Sequence, residues 1–465
     1  MEHIRTLWES YSVSELQEVE NVNVEYRAFL DQCKTERECV NKSIQMASEQ
    51  GYKPLNDYID KNLPLNPGDK IYSDYNGKAL VLFSIGTDPI ENGMNILGAH
   101  IDSPRIDVKQ NPVYEDSGFV YFDTHYYGGI KKYQWVTIPL AIHGVVIRKD
   151  GTRIEIVIGE SEDDPVFAIT DLLIHLSGQQ LKKTADKVIE GEQLDLLVGS
   201  IPAEGSSSDD QLFKNHILQL LKEKYDFEED DFRSAELEIV PSGKSRELGF
   251  DRSMIMAYGQ DDRICAFTSL KAMLEITDPK RTSCCILTDK EEVGSVGASG
   301  MYSRFFENTT AEVLNLMGFP SDISLRRTLQ NSTALSSDVN AGYDPLYSDV
   351  FEAKNAAYLG RGVVLSKYKG SPGKSGSNDA DPEFLAAIRR IMDENGVLTQ
   401  SAETGKVDYS RSGTIASIMA NYGMNVIDCG LAVLCMHAPM EISSKADIYE
   451  ATRAYKAFLS SMTRF

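Results

Sequence analysis

The sequence has no long apolar run. No stretch reaches the ~18 residues of a membrane-crossing helix, and Met1-Glu2-His3-Ile4-Arg5-Thr6 leads into an acidic segment without a signal-peptide core. Basic residues are in deficit: 47 Lys and Arg stand against 70 Asp and Glu, a formal net charge of -23. That balance predicts no nucleic-acid partner and no membrane partner. Cysteine is scarce, seven in all, an odd number with no zinc-knuckle spacing. Cys284, Cys285, Cys429 and Cys435 sit in apolar runs and read as small core residues. A reducing cytoplasm is the expected home. Familiar catalytic signatures are missing too: there is no His-Glu-x-x-His and no Gly-x-Ser-x-Gly elbow. The spaced Gly294, Gly297 and Gly300 lack the pairings of a phosphate loop. What is there is 465 residues of ordinary globular composition, enough for two domains.

The stretch Asp289-Lys290-Glu291-Glu292-Val293-Gly294 organises the rest. Ser283–Leu287 before it reads as a buried parallel strand, and the small-residue segment after it as a tight turn into a helix. Two adjacent carboxylates then lie just past the carboxyl end of a strand, where α/β sheets bind ligands. Neighbouring Glu side chains repel unless a cation or shared proton relieves them. One ligating a metal and one acting as general base is the functional reading; a solvated charged turn is the plain one.

Other strand ends carry similar groups. Asn95–Ala99 ends in His100-Ile101-Asp102, and a metal-bound imidazole wants its second nitrogen hydrogen-bonded, often to a carboxylate. Met254–Tyr258 reads as a strand leading to Asp261-Asp262 at the start of the helix Ile264–Ile276, where helix capping is the simpler use of either Asp. The extended run from Leu329 ends on Asp338, and Val433–Met436 leads to His437. Two His and several carboxylates on one sheet edge make a nitrogen/oxygen metal site, with an inventory large enough for two ions.

Elsewhere, Thr35-Glu36-Arg37-Glu38 is a capping box opening a helix that stops near Gly51, and Asn76-Gly77 marks a hairpin. Residues 104–245 change texture: β-rich runs, an Asp150-Gly151 hairpin, and a loop at Ala203–Asp210 suggest an inserted domain. Lys369–Asn378 reads as a flexible loop, followed by helices over Asp381–Glu394 and about Lys445–Ser460.

Gly98-Ala99-His100-Ile101-Asp102-Ser103-Pro104, Gln260-Asp261-Asp262-Arg263-Ile264-Cys265, Asp289–Ser295, Ser337-Asp338 and Met436-His437-Ala438-Pro439 together resemble the aspartyl aminopeptidase family, metallopeptidase family 18 of the co-catalytic zinc exopeptidases. The motifs stand in the family's order along most of the chain. The resemblance implies a mixed-sheet α/β/α catalytic domain over 1–103 and 246–465, and a β-rich dimerisation domain over 104–245. It implies two divalent ions, zinc by expectation, with Mn2+ or Co2+ as alternatives. His100 and Asp338 would hold one ion, Glu292 and His437 the other. Asp261 would bridge them, with Asp262 a close second. Glu291 would be the general base and Asp102 would orient His100. His143 matches a histidine that reaches a neighbouring subunit's site, though a core or hairpin histidine reads equally well. The implied assembly is a homo-oligomer, a tetrahedral dodecamer built from dimers, acting on peptide substrates in the cytoplasm.

One departure bears on specificity. Asp-specific relatives carry a Lys where this chain has Ser366, within Val364-Leu365-Ser366-Lys367. Lys367 substitutes only if the strand register shifts, because adjacent residues face opposite ways. The expectation is a metallo-aminopeptidase whose preference for Asp or Glu is in question. The rival is a related two-metal amidohydrolase: a dipeptidase, carboxypeptidase or N-acyl deacylase.

Overall fold

A computed structural model describes residues 6–204, 211–410 and 412–463. The loop expected at Ala203–Asp210 falls from residue 205 onward outside the described residues. Two compact units divide the chain. One runs to Asp102, from Ser245 to Met436 and from Glu441 onward; the other comprises Ser103–Lys244 with His437–Met440.

The first unit is built on a nine-stranded mixed sheet among the described residues. Its centre is Ser283–Thr288, Asn95–His100, Thr333–Ser336 and Asn425–Gly430, mutually parallel and wholly or nearly wholly buried. Both faces are covered, so these strands read as continuous apolar runs instead of alternating ones. Alternation survives in where the side chains go. Leu97, Cys285, Leu287 and Leu335 pack with Phe267, Phe384, Tyr455 and Phe458, from the helices Gln260–Glu275, Pro382–Glu394 and Lys445–Ser461. Ile96, Cys284, Ile286 and Ala334 pack on the opposite face with Phe306, Leu329 and Met419. The layering is therefore α/β/α, as expected. Ser283–Thr288 is parallel to one neighbour only; it runs antiparallel to Ala79–Ser84 on its other side.

Local signals act where the sequence puts them. Thr35 accepts the Glu38 N–H and Glu38 accepts the Thr35 N–H, which closes the capping box of Glu36–Glu49. Asn76 and Gly77 take positive φ of 54° and 66° in the turn joining Lys70–Tyr75 to Ala79–Ser84. Two expectations need correction. Leu329 and Gln330 end the helix Asp322–Gln330, so the extended run to Asp338 begins only at Thr333. Met254–Ala257 is a strand, but of a separate sheet, five-stranded among the described residues, with Arg246–Leu248 and Glu441–Ser444 among its members.

Among the described residues the second unit holds a six-stranded antiparallel sheet, with Leu140–Ile147, Ala235–Pro241 and Arg105–Asp116 at its centre. Asp150-Gly151 turns the chain from Leu140–Ile147 into Arg153–Ile158, with Gly151 at φ 88°.

Candidate metal centre

Strand register brings the first unit's motifs to one edge. His100 pairs with Thr288, so Asp289–Glu292 leaves the sheet beside His100. Ser336 pairs with Gly98, and the Ser337 N–H donates to the Gly98 carbonyl, so Asp338 emerges on the same edge. Asp261 arrives differently, at the irregular start of Gln260–Glu275. Its backbone N–H donates to the buried Glu441 carboxylate at 2.9 Å. Glu441 is a supporting residue that no motif announces.

The resulting group is tight. Ligand atoms of His100, Asp261 and Asp338 lie within 4.8 Å of one another, as do those of His100, Glu291 and Glu292. His100 Nε2 is 3.3 Å from Asp261 Oδ1 and 3.8 Å from Glu291 Oε2. Asp262, joined to Asp261 by a cis peptide, is fully buried. Asp261 is thus the member of the pair that meets His100.

Asp102 does more than orient His100. His100 Nδ1 lies 3.0 Å from the Asp102 carbonyl and 3.3 Å from its Oδ1. The same carboxylate accepts the backbone N–H groups of Glu291 at 3.1 Å and Glu292 at 3.2 Å. One buried side chain therefore sets both the imidazole and the turn that carries the two Glu residues.

The electrostatics fit a cation. Burial pushes the Glu291 carboxyl up to about 8; His100 offsets part of this, while Asp338, Asp102 and Asp261 add to it. Burial, above all, raises Asp338 and Asp262 as well. Burial opposes the His100 imidazolium, but Asp102, Asp261 and Glu291 outweigh it and raise its pKa. Buried carboxylates that must keep protons to coexist, around an imidazole, are a donor set suited to a divalent ion.

Ser366 ends the strand Val363–Ser366, buried, with its hydroxyl accepting from Asn340 Nδ2 at 2.8 Å, and Lys367 is exposed. The buried lysine of this run is Lys369, whose Nζ sits 3.2 Å from Asp338 Oδ1. It lines a cavity of about 240 Å³ with Tyr368, Pro372, Lys374, Glu403 and Val407; neither Ser366 nor Lys367 lines it. In the second unit, His143 is buried in its sheet with Nε2 3.0 Å from Glu160 Oε1, and His437 Nδ1 is 3.0 Å from the Gly129 carbonyl. Cys284, Cys285 and Cys429 are core residues as expected, but Cys435 is exposed, at positive φ in the turn before His437.

A layered α/β/α unit with an imidazole and carboxylates on one strand edge defines a metal-dependent hydrolase site. The family model described as "Aminopeptidase I zinc metalloprotease (M18)" matches residues 29–459. A probable M18 family aminopeptidase 1 from Clostridium acetobutylicum is 55% identical, covering 99% of both chains. The crystal structure of aminopeptidase I from that organism superimposes with a TM-score of 0.92 at 53% identity, over 99% of each chain. The Thermotoga maritima M18 aminopeptidase gives a TM-score of 0.94 at 42% identity, over 99% of this chain and 100% of that one. The chain belongs to the M18 family of zinc aminopeptidases.

Proposed function

We propose that the chain releases single N-terminal residues from peptides at a centre of two zinc ions, for which Mn2+ or Co2+ could substitute. The observation that carries this reading is Glu291: half-buried at the strand edge, 3.8 Å from the His100 imidazole, with its backbone held by Asp102. His100 and Asp338 would hold one ion and Glu292 and His437 the other, with Asp261 available to both. When bound, the ions polarise the scissile carbonyl and make water acidic enough to be deprotonated at neutral pH. Glu291 accepts the proton from that water and delivers it to the leaving amine. Its partly desolvated setting suits both halves of the task, because a carboxylate there is a stronger base than one in water. Asp102 fixes the imidazole and both Glu residues before substrate arrives, so little reorganisation is left to the reaction. The cavity of Tyr368, Lys369, Glu403 and Val407, beside Asp338 through Lys369, receives the N-terminal side chain.

The working form is a cytoplasmic homo-oligomer, a tetrahedral dodecamer of dimers formed through the β-rich unit, with His143 serving a neighbouring subunit. The family resemblance supports this part of the reading. Among the described residues no helix is long and apolar enough to cross a membrane.

The test is a panel of Asp, Glu, Leu, Lys, Arg and Ala anilides, each also N-acetylated, assayed with chelator and after zinc, manganese or cobalt return. Chelator-sensitive cleavage of free-amine substrates alone is expected. Cleavage of the acetylated series would replace this reading with a deacylase.

A further inference from the structure

The run Ser366-Lys367-Tyr368-Lys369 turns back on itself and delivers Lys369 to the metal-ligand cluster. Its Nζ donates to the Val339 carbonyl at 2.7 Å, and it stands 3.2 Å from Asp338 Oδ1 and 3.4 Å from the Asp338 carbonyl. The side chain is 3% exposed. A buried ammonium is costly unless its charge and donors are matched. Three oxygens on Asp338 and Val339 surround the ammonium, two of them backbone. These contacts hold the Lys369 ammonium against Asp338.

A charged lysine has donors and no acceptor, so it cannot ligate a metal. What it changes is the field. Ligand atoms of Asp338 and Asp261 lie within 4.8 Å of each other beside His100, and a positive charge stabilises two carboxylates held so close. The same charge opposes any dication that Asp338 binds, and it leaves that carboxylate a weaker ligand. We infer that Lys369 is a positioning residue acting as a resident counter-cation. It holds Asp338 in place in the metal-free protein and keeps the ion on the His100–Asp338 side exchangeable. The inference rests on Asp338 being a metal ligand.

The experiment measures zinc affinity on the full-length protein by competition with a chromophoric chelator, with thermal unfolding of the metal-free form alongside. Three variants are compared with the wild type. K369M removes the charge. K369Q removes the charge but keeps a donor for the Val339 carbonyl, and serves if K369M does not fold. K369R keeps the charge. The neutral variants are expected to bind the more weakly held zinc about ten-fold tighter or more, to release it more slowly to chelator, and to unfold at lower temperature when metal-free. K369R is expected to stay near wild type in affinity. A merely structural lysine would give the opposite sign, looser zinc on removal. Unchanged or weaker zinc binding in folded K369M or K369Q overturns the inference while leaving the metal centre intact. A wild-type protein that binds no zinc would remove both the centre and the role of Lys369.

Discussion

Asp102 holds two parts of the candidate site at once. A carboxylate that accepts two backbone N–H groups and abuts an imidazole is held in one orientation, and it passes that orientation on. Asp102→Asn is expected to lower metal affinity or kcat about 10–100-fold, read by chelator competition and initial rates. Glu291→Gln is expected to cut kcat about 100-fold or more while metal content stays unchanged; near-normal turnover would take Glu291 out of the proton transfer. Its titration makes a separate prediction. The carboxyl is raised above its ordinary 4.5 to about 8, so near pH 7 the metal-free protein holds a proton there. Metal favours the ionised form, so uptake near pH 7 must expel that proton, and well above pH 8 it must not. Calorimetry in buffers of different ionisation enthalpy should show proton release near pH 7, reduced by about one in Glu291→Gln.

Elements place these residues through register, and register has weak points. Gly430 ends a strand whose backbone runs against Asp338: a Cβ there would overlap the Asp338 carbonyl oxygen. Gly430→Ala is expected to shift Asp338 and cost about 100-fold in kcat, since a 1 Å misplacement can cost that much, with zinc content falling too. An unaltered zinc content and rate would show that the strand end yields without moving the ligand. Helix starts and tight turns were legible because their determinants are a few adjacent residues. Thr35 with Glu38 and Asn76 with Gly77 behave as their local chemistry dictates. Where the sequence reading erred, the deciding contact was distant. Leu329 belongs to a helix because it packs against the back of the sheet, and the strand at Met254 joins a different sheet because its partner is Ser443-Ser444, nearly two hundred residues on. Cys435 looked like a core residue from its apolar neighbours, yet it sits in the positive-φ turn that precedes His437.

At the scale of the molecule, the β-rich unit and His143 carry the question of assembly. His143 is buried within its own sheet, with Nε2 3.0 Å from Glu160 Oε1. A role in a neighbour's site predicts complementation. Glu291→Gln and His143→Ala proteins, each impaired alone, should regain activity when dissociated and reassembled together, since the first supplies the imidazole and the second the base. Activity that never exceeds the sum of the two would confine His143 to its own sheet.

The sequence by itself determined the chemical inventory: which His and carboxylates stand at strand ends, where helices are capped, and where chain texture changes. These follow from short-range periodicity and from motifs whose members are neighbours. Tertiary structure alone decided that Asp261 meets His100, that Glu441 holds its backbone, that Asp102 also anchors the Glu291–Glu292 turn, and that Lys369, not Ser366 or Lys367, lies against Asp338. Each depends on pairing between strands far apart in the chain, parallel for Asp102 beside Glu291 and antiparallel for Glu441 beside Asp261, or on a loop three residues past its strand. Periodicity carries no information about which distant groups will share a buried charge.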